Sequence, residues 1–286
     1  MKTDAVTLTH PERILYPASG VTKLDLAAYY ETVQEWMLPL VSKRLLTLVR
    51  SPQGDLQKCF YQKHLQEPNK SLFQLQVREK TATRDYLYLK NVDGLIALVQ
   101  MGVLEIHCWG SNIKNVERPD LIVFDLDPAP DVNWSKVMTA AKFIRDQLAT
   151  LHLTSFVKTT GGKGLHVVVP IKPRYSWEIV KQFSHDFVDN MVAENPRAYV
   201  ATISKAKRTG KIFLDYLRNQ HGATAVAPYS TRAREYATVA TPIHWDELTA
   251  KLKPEKFTVK TLPKRLITLK SDPWEDFLEI SQTLPR

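Results

Sequence analysis

The chain has 286 residues, 44% of them hydrophobic, with 39 Lys and Arg against 30 Asp and Glu and a formal net charge of +9. That length allows one large catalytic domain or two small ones, and the basic excess favours polyanionic partners, nucleic acid before a membrane surface. With only Cys59 and Cys108 and no Cys-x-x-Cys pair, the composition argues against a disulfide framework or structural zinc and fits a reducing cytoplasm.

Met1-Lys2-Thr3-Asp4 opens no apolar signal region. Thr22, with Asp25 three residues on, starts a helix whose stripe is Leu26, Tyr29, Val33 and Met37, and Pro39 should limit it. Residues 45–50 and 56–61 read as strands around a Pro52-Gln53-Gly54 turn. The apolar run Leu95 to Leu104 is half a membrane span and reads as a core element. Leu121-Ile122-Val123-Phe124 opens a buried strand. A helix from about 133 to 151 follows, with Val137, Ala141, Ile144, Leu148 and Leu151 on one side. Residues 155–159 and 165–171 read as two strands, and 176–192 as a helix with Ile179, Phe183, Phe187 and Met191 inward. Residues 211–216 read as one more strand. No repeat or long linker appears. Strands mixed with helices, and a hairpin among them, predict an α/β (α+β) class with a mixed sheet.

Three constellations carry chemistry. The first is Phe124-Asp125-Leu126-Asp127-Pro128. Alternation on a strand puts Asp125 and Asp127 on one face, where their charges repel unless a cation intervenes, and oxygen ligands suit Mg²⁺ or Mn²⁺. Three alternatives stand beside a metal site handling phosphates. The pair caps the next helix, serves an aspartyl-phosphate phosphatase, or binds the metal of a sugar-nucleotide transferase. Ala129, where the phosphatase pattern wants Thr or Val, counts against the second. The next constellation is Lys158-Thr159-Thr160-Gly161-Gly162-Lys163-Gly164-Leu165-His166. Its glycines let backbone N–H groups approach an anion, Lys163 adds charge and Thr160 a hydroxyl, and His166 stands in reach of a phosphate oxygen. It is not a Walker A loop, because a strand follows; the alternative is a plain glycine-rich hairpin with a core histidine. The third is Arg208-Thr209-Gly210-Lys211-Ile212-Phe213-Leu214-Asp215-Tyr216-Leu217-Arg218-Asn219. Asp215, a solitary acid in a basic stretch, suits a third metal ligand or an ion pair with Arg208 or Arg218. Arg232 and Arg234 offer guanidiniums that clamp phosphates.

Asp-Leu-Asp-Pro, Thr-Gly-Gly-Lys-Gly-Leu-His and Ile-Phe-Leu-Asp-Tyr-Leu-Arg-Asn, in this order, resemble the archaeo-eukaryotic primase superfamily. They are most similar to the polymerase domain of bacterial multifunctional end-joining DNA ligases. His10 to Pro17, Thr22 to Asp25, Phe60 to His64, Glu105 to Trp109 and Asp272-Pro273-Trp274 extend the resemblance over nearly the whole chain. The resemblance implies a single primase-polymerase catalytic domain over 1–286, with an N-terminal subregion (about 1–110), a catalytic core (about 111–240) and a C-terminal extension (about 241–286). It implies that Asp125, Asp127 and Asp215 hold two Mn²⁺ or Mg²⁺ ions. Thr160, Gly161, Gly162, Lys163, Gly164, His166 and Arg232 would surround a nucleoside triphosphate, with Lys63, Arg208 and Arg218 in the nucleotide or template surround. Arg13 and Lys23 would read a 5′-phosphate, Phe60 and Tyr61 would lie at the template bend, and His107 near the active site.

The expected activity is primer extension at gaps or 3′ overhangs in non-homologous end joining, with a ribonucleotide preference. De novo priming and a non-catalytic end-binding module are the alternatives. A Ku-like end-binding protein and a DNA ligase are the implied partners, no membrane is, and the expected setting is a bacterial cytoplasm at the nucleoid. No Lys-x-Asp-Gly adenylation motif is present in these 286 residues, and the chain is expected either to stand alone or to be an excised domain.

Overall fold

A computed structural model describes residues 6–65, 67–79 and 81–285. Two short strands, β1 (Ile14–Tyr16) and β2 (Val21–Thr22), lead into α1 (Lys23–Val41). Thr22 accepts from the Asp25 N–H and donates its own N–H to the Asp25 carboxylate, the reciprocal cap that the spacing predicted. Leu26, Tyr29, Val33 and Met37 are all buried. Pro39 does not stop α1. It removes one donor inside the last turn, and the turn closes past it through Ser42 N–H to Leu38 O at 2.9 Å.

The strand predicted at 45–50 is β3 (Arg44–Arg50). Residues 56–61 are not one strand. The Asp55 side chain accepts from Gln57 N–H and coils Leu56–Lys58 into a 3₁₀ turn, and only β4 (Phe60–Gln62) pairs with β3. A hairpin not among the predicted elements, β5 (Phe73–Arg78) with β6 (Thr83–Tyr88), follows. The apolar run at 95–104 divides into α2 (Val92–Gln100) and β7 (Val103–Asn112). The break falls at Gly102, whose φ of 74° lies in the left-handed region that a side chain disfavours.

The remaining elements are β8 (Leu121–Pro128), α3 (Trp134–Thr150), β9 (Phe156–Thr159), β10 (Leu165–Pro170) and α4 (Trp177–Glu194). After them come β11 (Tyr199–Val200), β12 (Ile212–Asp215), β13 (Thr224–Val226), β14 (Pro242–Ile243) and α5 (Leu262–Thr268). In α4 the stripe is turned from the predicted one. Ile179 is 52% exposed, while Trp177, Val180, Phe187, Val188 and Met191 are buried. Trp177 sets the rotation by packing edge-on against Trp109 and donating its indole N–H to Val116 O.

Besides the β1-β2 and β5-β6 pairs, two larger sheets lie among the described residues. One has the order β11-β12-β8-β10-β9-β14, with β11 and β12 parallel and its other pairs antiparallel, and the other has β13-β7-β3-β4. This is the mixed sheet and α/β class that the pattern predicted. β13 follows the larger sheet's strands in the chain yet pairs with β7, and β14 returns to the larger sheet, so the segments interlock rather than follow one another. The main apolar cluster accordingly contains residues from Leu8 to Leu284. Phe124, Leu126, Val167 and Leu214 point into it, where α3 and α4 cover the larger sheet. Each such side chain contributes roughly 2 kcal/mol by leaving water. Between the sheets, Arg44 on β3 grips Asp120, just before β8, through two hydrogen bonds of 2.6 and 3.0 Å.

Candidate active site

The register of the larger sheet decides what meets. Asp215 on β12 lies opposite Asp125 on β8, Asp125 opposite His166 on β10, and His166 opposite Lys158 on β9. Register partners point to the same face, so four polar side chains form one row across four strands. The alternate residues supply the apolar face beneath α3 and α4. Asp127 follows two residues after Asp125 near the end of β8. It does not cap α3: Asn133 occupies that position, and no side chain bonds there.

Arginines stand among the acids. Arg218 Nε lies 3.2 Å from both Asp125 Oδ2 and Asp215 Oδ2. Arg208 lies 3.0 Å from Asp127 Oδ2, with its guanidinium 3.8 Å from the centre of the Phe213 ring. His166 Nε2 lies 3.3 Å from Asp125 Oδ1. Burial alone would raise Asp125, but His166 and Arg218 outweigh it and hold the carboxyl well below the usual range. Asp127 and Asp215 shift the other way: burial, then the charge of Asp125, raises them. Among the described residues, no group of three or more His, Cys, Asp or Glu side chains is gathered so as to hold a metal ion. The three acids expected around a cation stand beside Arg208 and Arg218, and for Asp215 the pair with Arg218 is the ion-pair alternative that the basic stretch had left open.

The glycine-rich turn closes on itself. Thr160 donates its N–H and its hydroxyl to Gly164 O at 3.2 and 3.1 Å. Gly164 admits no side chain, since a Cβ there would stand 2.4 Å from Leu126 O on the neighbouring strand. Beneath the turn, Glu105 accepts from His107 at 2.7 Å and from Ala233 N–H at 2.9 Å, with Arg232 Nε 3.1 Å away. Burial opposes its charge, yet the His107 hydrogen bond and Arg232 pull Glu105 down to about 2. Arg232 also donates to Thr160 O.

A pocket of about 370 Å³ gathers most of the predicted residues. Asp125, Asp127, Thr160, Lys163, Gly164, His166, Arg218, Arg232, His107 and Tyr61 line it, together with Arg234. Asp215 is buried beside Asp125, and Arg208 stands against Asp127. Gly161 and Gly162 line an adjoining pocket of about 790 Å³ that shares Lys163 and Arg234 with the first. Four residues lie apart from the pocket lining. Lys63 is exposed just after β4, and Phe60 packs under Arg50. Arg13 donates to Pro52 O, and buried Lys23 donates to Thr9 O at 2.9 Å. Two residues not singled out in the sequence belong here. Glu105 alternates with His107 in an apolar strand, a period-2 signal that was present. Lys158, a lone cation in Phe156-Val157-Lys158-Thr159, is buried.

Two buried bases make stability depend on pH. Burial, then Lys158, pushes His166 from 6.5 down to about 4, and burial, then Arg232, pushes Lys158 from 10.5 to about 7. In each case the unfolded chain takes up the proton first as pH falls, so stability is lost on acidification between the unfolded and folded values. Urea unfolding should show about 3 kcal/mol less stability at pH 4.5 than at pH 7, and His166→Gln should flatten this slope. An equal slope in the variant would remove His166 as its source.

A family profile described as "LigD, primase-polymerase domain" matches residues 22–274. The chain is 35% identical over 286 residues to the "Multifunctional non-homologous end joining protein LigD" of Pseudomonas aeruginosa, covering 99% of this chain and 34% of that protein. It is 29% identical over 278 residues to the "Bifunctional non-homologous end joining protein LigD" of Bacillus subtilis, covering 97% and 45%. The chain thus spans about a third to under half the length of these relatives. Among solved structures, the "Polymerase Domain from Mycobacterium tuberculosis Ligase D in complex with DNA" superposes with a TM-score of 0.88 at 30% identity, over 96% of this chain and 98% of that one. The chain belongs to the LigD primase-polymerase domain family.

Proposed function

We propose that the whole chain acts as one catalytic unit, a template-dependent nucleotidyltransferase that extends a primer 3′-hydroxyl at DNA ends or gaps, preferring ribonucleotides, in non-homologous end joining. The observation that carries this reading is the row of Asp215, Asp125 and His166 beside the Thr160–Gly164 turn in a chain of this family. The relatives' names include end joining, and the similar solved structure contains DNA.

The chemistry of the acids suits a hard divalent cation, although as they stand they are not gathered into a three-ligand cluster. Asp127 and Asp215 are raised by burial and by the charge of Asp125, which added positive charge would relieve. Asp125, Asp127 and Asp215 would hold the two Mn²⁺ or Mg²⁺ ions. When bound, such ions neutralise charge on the transferring phosphoryl group and favour the ionised 3′-hydroxyl. Until then Arg208 and Arg218 supply the charge that keeps the acids together. Lys163 and Arg234 pair with no acid among the described residues and face the pocket, so they are free to hold a triphosphate; Arg232, held to Glu105, offers the rest of its fork. Thr160 reaches a phosphate only by releasing Gly164 O. Exposed Tyr61 and half-exposed Phe60 offer faces on which template bases stack, near His107 and Lys63. Arg13 and Lys23 would bind a 5′-phosphate. A Ku-like end-binding protein and a DNA ligase are the partners this reading implies.

Primer extension on a gapped duplex tests it, with ribo- and deoxynucleotides compared under Mn²⁺ and Mg²⁺. Extension is expected to be faster with ribonucleotides, to be faster on a 5′-phosphorylated gap than on a 5′-hydroxyl one, and to weaken steeply with salt. No extension under any combination would sink the polymerase reading. Equal rates on both gaps would remove the 5′-phosphate site, and synthesis without a primer would favour the priming alternative.

A further inference from the structure

One buried cation of the row, Lys158, has been given no role so far. Lys158 is 2% exposed, and its Nζ meets no hydrogen-bond partner among the described residues. A lysine buried this way is costly, and a methionine of similar length would fill the space without that cost. Its surroundings suggest what the charge does. Lys158 lines a small cavity of about 40 Å³ behind the row of acids, walled by Val123, Val168 and Trp274. His166 Nδ1 is also buried there without a partner. Apart from the Trp109 indole N–H, which is also buried without a partner, the other donors lining the cavity are occupied or weak. Arg44 is bound to Asp120 and Leu40 O, Arg218 to the two acids, and Cys108 is a thiol.

The chemistry of His166 completes the argument. A carboxylate only accepts, so the Nε2 beside Asp125 Oδ1 carries the hydrogen. A neutral imidazole then presents Nδ1 as a bare acceptor toward the cavity. Lys158, its register partner on the same face of the sheet, is the strong donor left unpaired. We propose that Lys158 is a positioning residue that donates to His166 Nδ1 through one bridging water, and so holds the imidazole in the tautomer that steadies Asp125. A 40 Å³ cavity has room for such a water. Burial pushes Lys158 down to about 7, and as ammonium or amine it keeps N–H groups to give. The proposal rests on the polymerase reading only in taking Asp125 as part of the reacting centre.

Nitrogen-15 histidine NMR of the full chain tests it, with the His166 signals assigned by their loss in His166→Gln. Wild type should show hydrogen on Nε2 and none on Nδ1. Lys158→Gln, which keeps a donor, should preserve that pattern, and Lys158→Met should lose it. Lys158→Met should also extend primers about 10–100-fold more slowly while matching or exceeding wild-type thermal stability. A hydrogen on Nδ1 in wild type, or an unchanged tautomer in Lys158→Met, overturns the inference. So does a loss of extension that merely follows a loss of stability. If Lys158→Met does not fold, the wild-type and Lys158→Gln spectra decide. A wild type that extends no primer sinks the polymerase reading and leaves the tautomer test standing.

Discussion

Asp125→Ala and Asp215→Ala should each slow primer extension by about 10³-fold or more and leave affinity for gapped DNA within about twofold. Transfer of a phosphoryl group depends on fixed positive charge around the reacting phosphate, and under the proposed reading these carboxylates are what holds it. Under the same reading DNA affinity would come from lysines and arginines elsewhere, so it should survive. The fold should survive as well, because either substitution leaves Arg218 one carboxylate within 3.2 Å and removes a repulsion. Single-turnover extension and fluorescence anisotropy on the same duplex measure the two quantities separately. A variant that extends at near wild-type rate would show that its carboxylate is not part of the reacting centre.

Asp120→Ala should lower unfolding free energy by about 3 kcal/mol. Arg44 is buried and donates to both Asp120 oxygens as well as to Leu40 O, tying the end of α1 and the smaller sheet to the start of β8. Burial opposes its charge, and Asp120 more than repays it. Removing the acid strands the guanidinium in an apolar setting. Replacing both partners by Arg44→Met with Asp120→Leu should recover most of the loss, since the stranded charge rather than the missing bond carries it. Denaturant unfolding of the single and double variants reads this directly. A loss under about 1 kcal/mol in Asp120→Ala would mean that water reaches Arg44.

The same pair shows how legibility divided. The capped start of α1, the strand at 121–126 and the helices around 133–151 and 176–192 were readable because their signals are local: a Thr-x-x-Asp spacing, an apolar run, a stripe of period 3.6. Two local rules were overridden for different reasons. Past Pro39 the helix closes by a local backbone bond from Ser42 N–H to Leu38 O, whereas Ile179 is turned outward by tertiary contacts of Trp177, which anchors α4. The hairpin at Phe73–Tyr88 did carry a local signal: Phe73, Leu75 and Val77 alternate with Gln74, Gln76 and Arg78, and Tyr86 and Tyr88 lie on the same face. Arg44 and Asp120 stand 76 positions apart, and no periodicity relates them.

At the site, the sequence by itself determined which residue types were present and in what order: two acids at strand spacing, a glycine turn with a lysine, and a late acid in a basic stretch. Period-2 geometry also put Asp125 and Asp127 on one face before any fold was known. Only the tertiary structure decided that Asp215 lies opposite Asp125, that arginines stand between the acids, and that Lys158 lies buried beside His166. Those facts depend on strand order and register. Both are set by burial of the apolar faces under α3 and α4, a cooperative property of the whole sheet that no short segment encodes.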